Sequence, residues 1–254
     1  MNNTLLPTVL LSLCCLFCIV FLVFGLRSVL VRTSWDKGRQ ARVLRTASLL
    51  LSGWILLLGW LALRGFFADF SALPPRQGIA MLIPLPVVLW IAFSKGGKEL
   101  LQHTPPQWIL YLQSFRIIVE LMLWVSVLDR LLPVQVSLEG RNFDILSGLF
   151  AIPVGYYCFV KKSWPSWVVL LYNTAGLLLL LNAVAIAVLS MPTPLRQFHN
   201  EPAVTLIVHF PFIYLPGFLV PVAYTLHIFS LRQWAMSRST ARYTGRSIPP
   251  PIKG

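Results

Sequence analysis

The sequence predicts an all-α integral membrane protein: a bundle of about seven transmembrane helices, with its N-terminus outside and its C-terminus in the cytoplasm. Three observations carry that prediction. Of the 254 residues 57% are hydrophobic and 11% are charged, with a mean hydropathy of +0.74. A soluble domain carries about a quarter charged residues, so an ordinary soluble enzyme, a disordered chain and a disulfide scaffold are set aside. The apolar residues gather into seven runs rather than spreading along the chain. The net charge of +13 falls on one side of those runs.

The spans read as Leu5–Leu26, Ala47–Leu63, Ile79–Phe93, Trp108–Leu128, Ile145–Val160, Trp167–Leu189 and Val204–Leu231. Every backbone amide in hydrocarbon needs a partner within the protein, which leaves helices or a closed barrel. Runs of this length without period-two alternation select helices. The third and fifth are short for a full crossing and carry Pro84, Pro86 and Pro153, so they are expected to be tilted, kinked or incomplete. Seven spans of about 20 to 23 residues use roughly 150 residues, which leaves no room for an appended soluble domain. Residues 1–231 therefore form one transmembrane domain, followed at 232–254 by a basic, proline-containing tail that reads as solvated and extended.

With the first terminus outside, the cytoplasmic pieces hold fifteen Lys and Arg against Asp36 and Glu99. The outward pieces hold Arg64, Arg76, Arg130, Arg141 and Arg196 against Asp69, Asp129, Glu139, Asp144 and Glu201. This is the positive-inside distribution. Its expected partner is anionic lipid headgroups on the inner leaflet; topology accounts for the charge, and nucleic acid is not expected. The uncharged start Met1-Asn2-Asn3-Thr4, with bases only after the apolar run, reads as an anchor that stays rather than a cleaved signal peptide.

Cys14, Cys15 and Cys18 share one apolar helix and Cys158 another, without the second Cys or His pair that a metal site uses. They read as small apolar packing residues. His103, His199, His209 and His227 include no i, i+4 pair, so no metal or haem is expected. The last span lacks the lysine that a retinal Schiff base needs. No cofactor is expected.

The informative segment is the fourth span. Arg116 and Glu120 are four apart on one helix face, and Gln113 lies on the same stripe. Each charge at mid-helix costs about 2.5–3.5 kcal/mol on insertion scales, so the two are expected to pair and to recruit further polar partners. By helical rise, Arg116 and Glu120 lie roughly 12 and 18 Å from the inner end of their span, and Asn173 and Asn182 roughly 9 and 22 Å along the sixth. His209 falls near the level of Asn182. These residues are expected to form a polar seam, and intramembrane ionisable groups mark substrate or proton paths by default. The competing reading is a buried pair that fixes helix register. A second cluster, Glu139, Arg141, Asn142 and Asp144, is expected outside as a mouth above the seam; Gly140 would turn it, and Asn142 or Asp144 would cap the fifth span. Pro211, Pro216 and Pro221 interrupt the last span, as in helices that line binding sites.

The stretches Gln113-Ser-Phe-Arg-Ile-Ile-Val-Glu120, Glu139-Gly-Arg-Asn-Phe-Asp144 and Phe210-Pro-Phe-Ile-Tyr-Leu-Pro216 resemble an uncharacterised group of small bacterial multi-spanning proteins, chiefly from Bacteroidota. The resemblance covers roughly the second half of the chain. It implies a bacterial inner-membrane setting and carries over no activity. The leading functional expectation is binding or transport of a small polar ligand or proton through the seam from the outer side. One alternative is a lipid-modifying enzyme using Glu120, Asp144 or His209 as acid or base. The other is a non-catalytic subunit or assembly factor.

Overall fold

A computed structural model describes residues 4–72 and 74–243 of the chain, with side chains as far as Ser239. The start Met1–Asn3 and the tail beyond Tyr243 lie outside the described residues. No strand occurs among the described residues.

Helix α1 (Leu5–Leu30) leads through a short turn into α2 (Lys37–Leu63). Asp36 starts α2, its carboxylate accepting from the Arg39 N–H at 2.9 Å, a cap that contributes about 1 kcal/mol. The expected third span is two helices, α3 (Arg76–Leu82) and α4 (Pro84–Phe93), because Pro84 has no N–H to continue the ladder. Ser94 caps the short amphipathic α5 (Lys95–His103), which buries Leu101 and exposes Lys95, Lys98 and Gln102.

The fourth span is also jointed. Helices α6 (Pro106–Leu112) and α7 (Phe115–Leu128) meet at Gln113–Ser114, where Arg116 N–H donates to the Gln113 carbonyl at 3.2 Å and Ile117 N–H to Ser114 at 3.0 Å. Such a three-residue tightening inside a helix often marks a functional hinge. Helix α8 (Ile145–Gly155) runs on through a wider turn at Tyr156–Val160, α9 covers Trp167–Leu189, and α10 covers Val220–Tyr243.

Among the described residues, five helical stretches are long and apolar enough to cross a membrane: α1, α2, α3 with α4, α6 with α7, and α9. The stretch Ile145–Val160 is apolar but shorter. Leu49, Leu56, Trp60, Trp90, Leu178 and Leu181 all stand exposed on the outside of the bundle. Inside it, α1 lies along α7, α10 packs on α9, α6 and α4, and α8 closes against α6, α7 and α9. Cys14, Cys15 and Cys18 are buried on the α1 face turned to α7, with the Cys14 thiol donating to the Phe115 carbonyl at 3.7 Å. Gly148 brings α8 close to α7: a Cβ there would stand 3.0 Å from Ile117 Cγ1 and 3.3 Å from Arg116 Cβ. The missing side chain is what lets the two helices approach there.

One end of the bundle carries the loops around Lys37, Lys95 and Lys161 and is strongly basic. The other carries Arg64, Arg76, Arg130, Arg141 and Arg196 against Asp69, Asp129, Glu139 and Glu201 and is nearly neutral. At this neutral end the expected last span begins as irregular backbone: Ala203–Tyr214 is a chain of short turns, then a wide turn spans Leu215–Leu219, and regular helix starts at Val220. The three prolines account for the interruption. Pro221 cannot donate to the Gly217 carbonyl, and the Trp54 indole N–H of α2 donates to it instead at 2.8 Å. Tyr214 O–H donates to the Ile55 carbonyl at 3.2 Å, so α2 is fastened at two points to the segment the prolines open. Trp54→Phe removes the first of these bonds and should lower stability by about 1 kcal/mol or more. Thermal unfolding of the purified protein in a mild detergent checks this.

Candidate functional site

Arg116 is 2% exposed, deep among α7, α8 and α10. Its expected partner, Glu120, does not pair with it. The ion pair is instead Arg116 Nη1 to Asp144 Oδ1 at 2.8 Å. The Glu120 carboxylate accepts from the Leu138 backbone N–H at 2.6 Å. Both corrections have one cause. The segment after α7 folds back down beside it rather than standing above the bundle as a mouth.

The descent can be measured along α7. Glu120 lies eight residues before Leu128 and Arg116 twelve before it, which is about 12 and 18 Å of helix. Leu138 and Asp144 reach those levels. The backbone turns at Asp129–Leu132, where the amides of Leu131 and Leu132 both donate to the Ser126 carbonyl, and Arg130 takes a left-handed φ of 55°. Gly140 is required by close approach: a Cβ there would collide with Val134 O and Gln135 Cα. Asn142, 5% exposed, donates from Nδ2 to the Val136 carbonyl at 2.9 Å and accepts at Oδ1 from the Asp144 N–H at 3.1 Å. Asp144 therefore sits at the start of α8, but its side chain serves Arg116 and makes no cap. Ser137, Gln135 and Val136 are all buried. The turns of the loop supply partners for most of its own backbone groups, as burial requires.

The remaining expected residues divide. Gln113 Nε2 donates to the Ala223 carbonyl of α10 at 3.2 Å. Asn173 is fully buried: its Nδ2 donates to Val169 O at 2.7 Å and Ser230 Oγ at 2.9 Å, and its Oδ1 faces His227 Nδ1 at 2.9 Å. Asn182 is exposed and holds the loop from outside, donating to the Arg141 carbonyl at 2.9 Å. Glu139 accepts from the Trp124 indole at 2.8 Å, and Arg141 lies over the Phe198 ring at 5.3 Å. These three brace the loop's outer face. His209 is exposed beside the irregular start of the last span and is no part of a seam; the prolines displace it from the helix that depth arithmetic assumed.

Two residues of the buried set were not among the candidates. His227, fully buried, presses against Gly176, where any Cβ would overlap its ring. Gln77 of α3, 2% exposed, donates from Nε2 to Met191 Sδ at 2.6 Å. The sequence signal for His227 was a histidine in an apolar run; for Gln77 it was only a glutamine near one.

Beside Arg116 lies a cavity of about 100 Å³, bounded by α3, α7, α9 and the start of α10. Arg116, Asp144, Asn142 and Gln77 line it on the polar side, and aliphatic residues such as Leu123, Leu180 and Val184 elsewhere. Asp144 engages only Nη1. Arg116 Nε and Nη2, the edge that makes the side-on fork, are buried without a hydrogen-bond partner, as are Gln77 Oε1 and Gln113 Oε1. A guanidinium fork is shaped for two acceptor oxygens of one carboxylate or phosphate. On the rim of the neutral end, Arg76 pairs with Asp69 at 2.7 Å. Hydrogen bonds from the Ser71 hydroxyl and amide hold that carboxyl below its usual range. No group of three or more His, Cys, Asp or Glu that could hold a metal occurs among the described residues.

A family model described as a domain of unknown function (DUF8737) matches residues 74–235, and the chain belongs to that family. The match contains every candidate residue and leaves out α1 and α2. No curated protein and no solved structure matches the chain.

Leaving a buried charge alone costs about 3–5 kcal/mol. Arg116→Leu and Asp144→Leu should each destabilise on that scale, and the double replacement much less than their sum. Glu120→Leu, which strands only the Leu138 amide, should show no coupling to Arg116→Leu. A double-mutant cycle on thermal unfolding in detergent reads both results.

Proposed function

We propose that this member of the DUF8737 family is a seven-span protein of the bacterial inner membrane, with its N-terminus outside, that binds a small polar ligand at Arg116 near the middle of the bilayer. Transport of that ligand is the role the site is best suited to. The five apolar stretches, the shorter Ile145–Val160 and the helix from Val220 make the crossings. The basic end then faces the cytoplasm and meets anionic headgroups. Arg32 over Trp108 at 5.1 Å and Arg232 over Phe93 at 5.0 Å suit that interface, each pairing a cation with an aromatic ring.

The observation that carries the ligand reading is the Nε and Nη2 edge of Arg116, buried beside a cavity without a partner. A pair serving only helix register would use those donors inside the protein. Here Asp144 neutralises the charge while the fork remains for an incoming acceptor. The broken start of the last span supports the same reading, since interrupted helices recur where substrates bind at mid-membrane.

Two measurements test the proposal. Native mass spectrometry of protein purified in mild detergent should show a small bound species that is lost from the Arg116→Leu/Asp144→Leu double variant while that variant still folds; equal occupancy in both would overturn the reading. Single cysteines at Asn200 and Ser237, in a chain whose native cysteines are replaced, should be labelled from opposite sides of intact cells and inverted vesicles.

A further inference from the structure

Which polar ligand fits depends on how the cavity is reached, and the approach from the neutral end is covered. At that end the inward-folded loop lines the cavity with buried Asn142 and with Asp144, and the turns before α10 line it with buried Ile207. Gln77 of α3 bonds to Met191 just past α9, closing the top of the gap between those helices. Below that bond the flanking residues are small, apolar and half-buried: Gly78 on α3, and Ala183, Val184 and Ala187 on α9. A Cβ built on Gly78 meets nothing within 4 Å. The cavity therefore faces sideways, toward the apolar surroundings of the bundle.

Its chemistry is divided accordingly. Of the residues that line it only Arg116 and Asp144 carry charge, and most of the rest are aliphatic. A volume of about 100 Å³ is smaller than the roughly 150 Å³ that holds benzene. It takes an oxyanion head and a few carbons, and a longer chain must continue out through the gap. A freely diffusing anion would have to cross an apolar rim to reach the fork, whereas an anion carried on an apolar chain already lies at that rim.

Resting on the ligand reading above, we propose that the ligand is a single-chain anionic amphiphile. Its carboxylate or phosphate head takes the Arg116 Nε–Nη2 fork, and its chain enters sideways between α3 and α9.

The test measures binding to the full chain in nonionic detergent by thermal shift and native mass spectrometry. The probes are dodecanoate, dodecyl phosphate, acetate and inorganic phosphate. Dodecanoate or dodecyl phosphate should bind saturably, at least about tenfold more tightly than the matching chainless anion, and whichever of the two binds better identifies the head. The Arg116→Leu/Asp144→Leu variant should lose that binding. Gly78→Phe, which fills open space in the gap and leaves the ion pair intact, should weaken it at least about tenfold; Ala187→Leu provides the same obstruction from α9. Acetate or phosphate binding as tightly as the chained probes would overturn the amphiphile while leaving the small-ligand reading in place. Undiminished binding in both gap variants would overturn the sideways route. If none of the four probes binds the folded protein, the oxyanion site itself is wrong.

Discussion

The structure depends on one constraint: a guanidinium placed in the middle of an apolar bundle must be given a counter-charge there. Arg116 receives it from Asp144, twenty-eight residues on. No helix carries Asp144 to that depth. The segment from Pro133 to Asp144 does so in a series of tight turns whose N–H groups mostly donate to carbonyls within it, with Glu120 taking the Leu138 amide and Asn142 the Asp144 amide. Glu120 belongs to this arrangement as a support for the loop, not as the partner of Arg116.

Other features follow from housing that loop. Helix α8 begins deep, which is why its apolar stretch is short, and Gly148 lets its first turns lie against Arg116. Gln135 Nε2 donates to Ser190 Oγ at 3.1 Å, tying the loop to the end of α9. The Ser190 carbonyl in turn accepts from the Val204 N–H at 3.0 Å, joining the turns that precede α10. The neutral end is thus a plug of non-helical chain held by side-chain and backbone bonds. The basic end is helical turns with aromatic rings beneath cations. That asymmetry gathers the non-helical backbone on the side of Arg116 that Asp144 reaches.

The local reading of the sequence succeeded where the signal was local. Apolar runs are helices except at the start of the last, Pro84 splits the third stretch, and the cysteines of α1 are packing residues turned to α7. It failed where helical spacing was used to infer contact. Arg116 and Glu120 share a face of α7, yet each has a better partner on the loop. Helical rise alone puts His209 and Asn182 at one level. Proline had removed the helix beneath His209, and Asn182 faces outward from a helix that is apolar nearly all round, so no stripe in the sequence told inside from outside.

Composition and hydropathy, which are sums over neighbours along the chain, determined that the protein is helical, with several long apolar helices, and that Arg116 is a costly charge within one of them. Which residue neutralises that charge and which edge of the guanidinium is left without a partner were decided by tertiary structure. Those outcomes rest on a backbone that turns back on itself after α7 and on prolines that open α10. The energies involved come from contacts between distant segments, and a single sequence records no preference for one such contact over another.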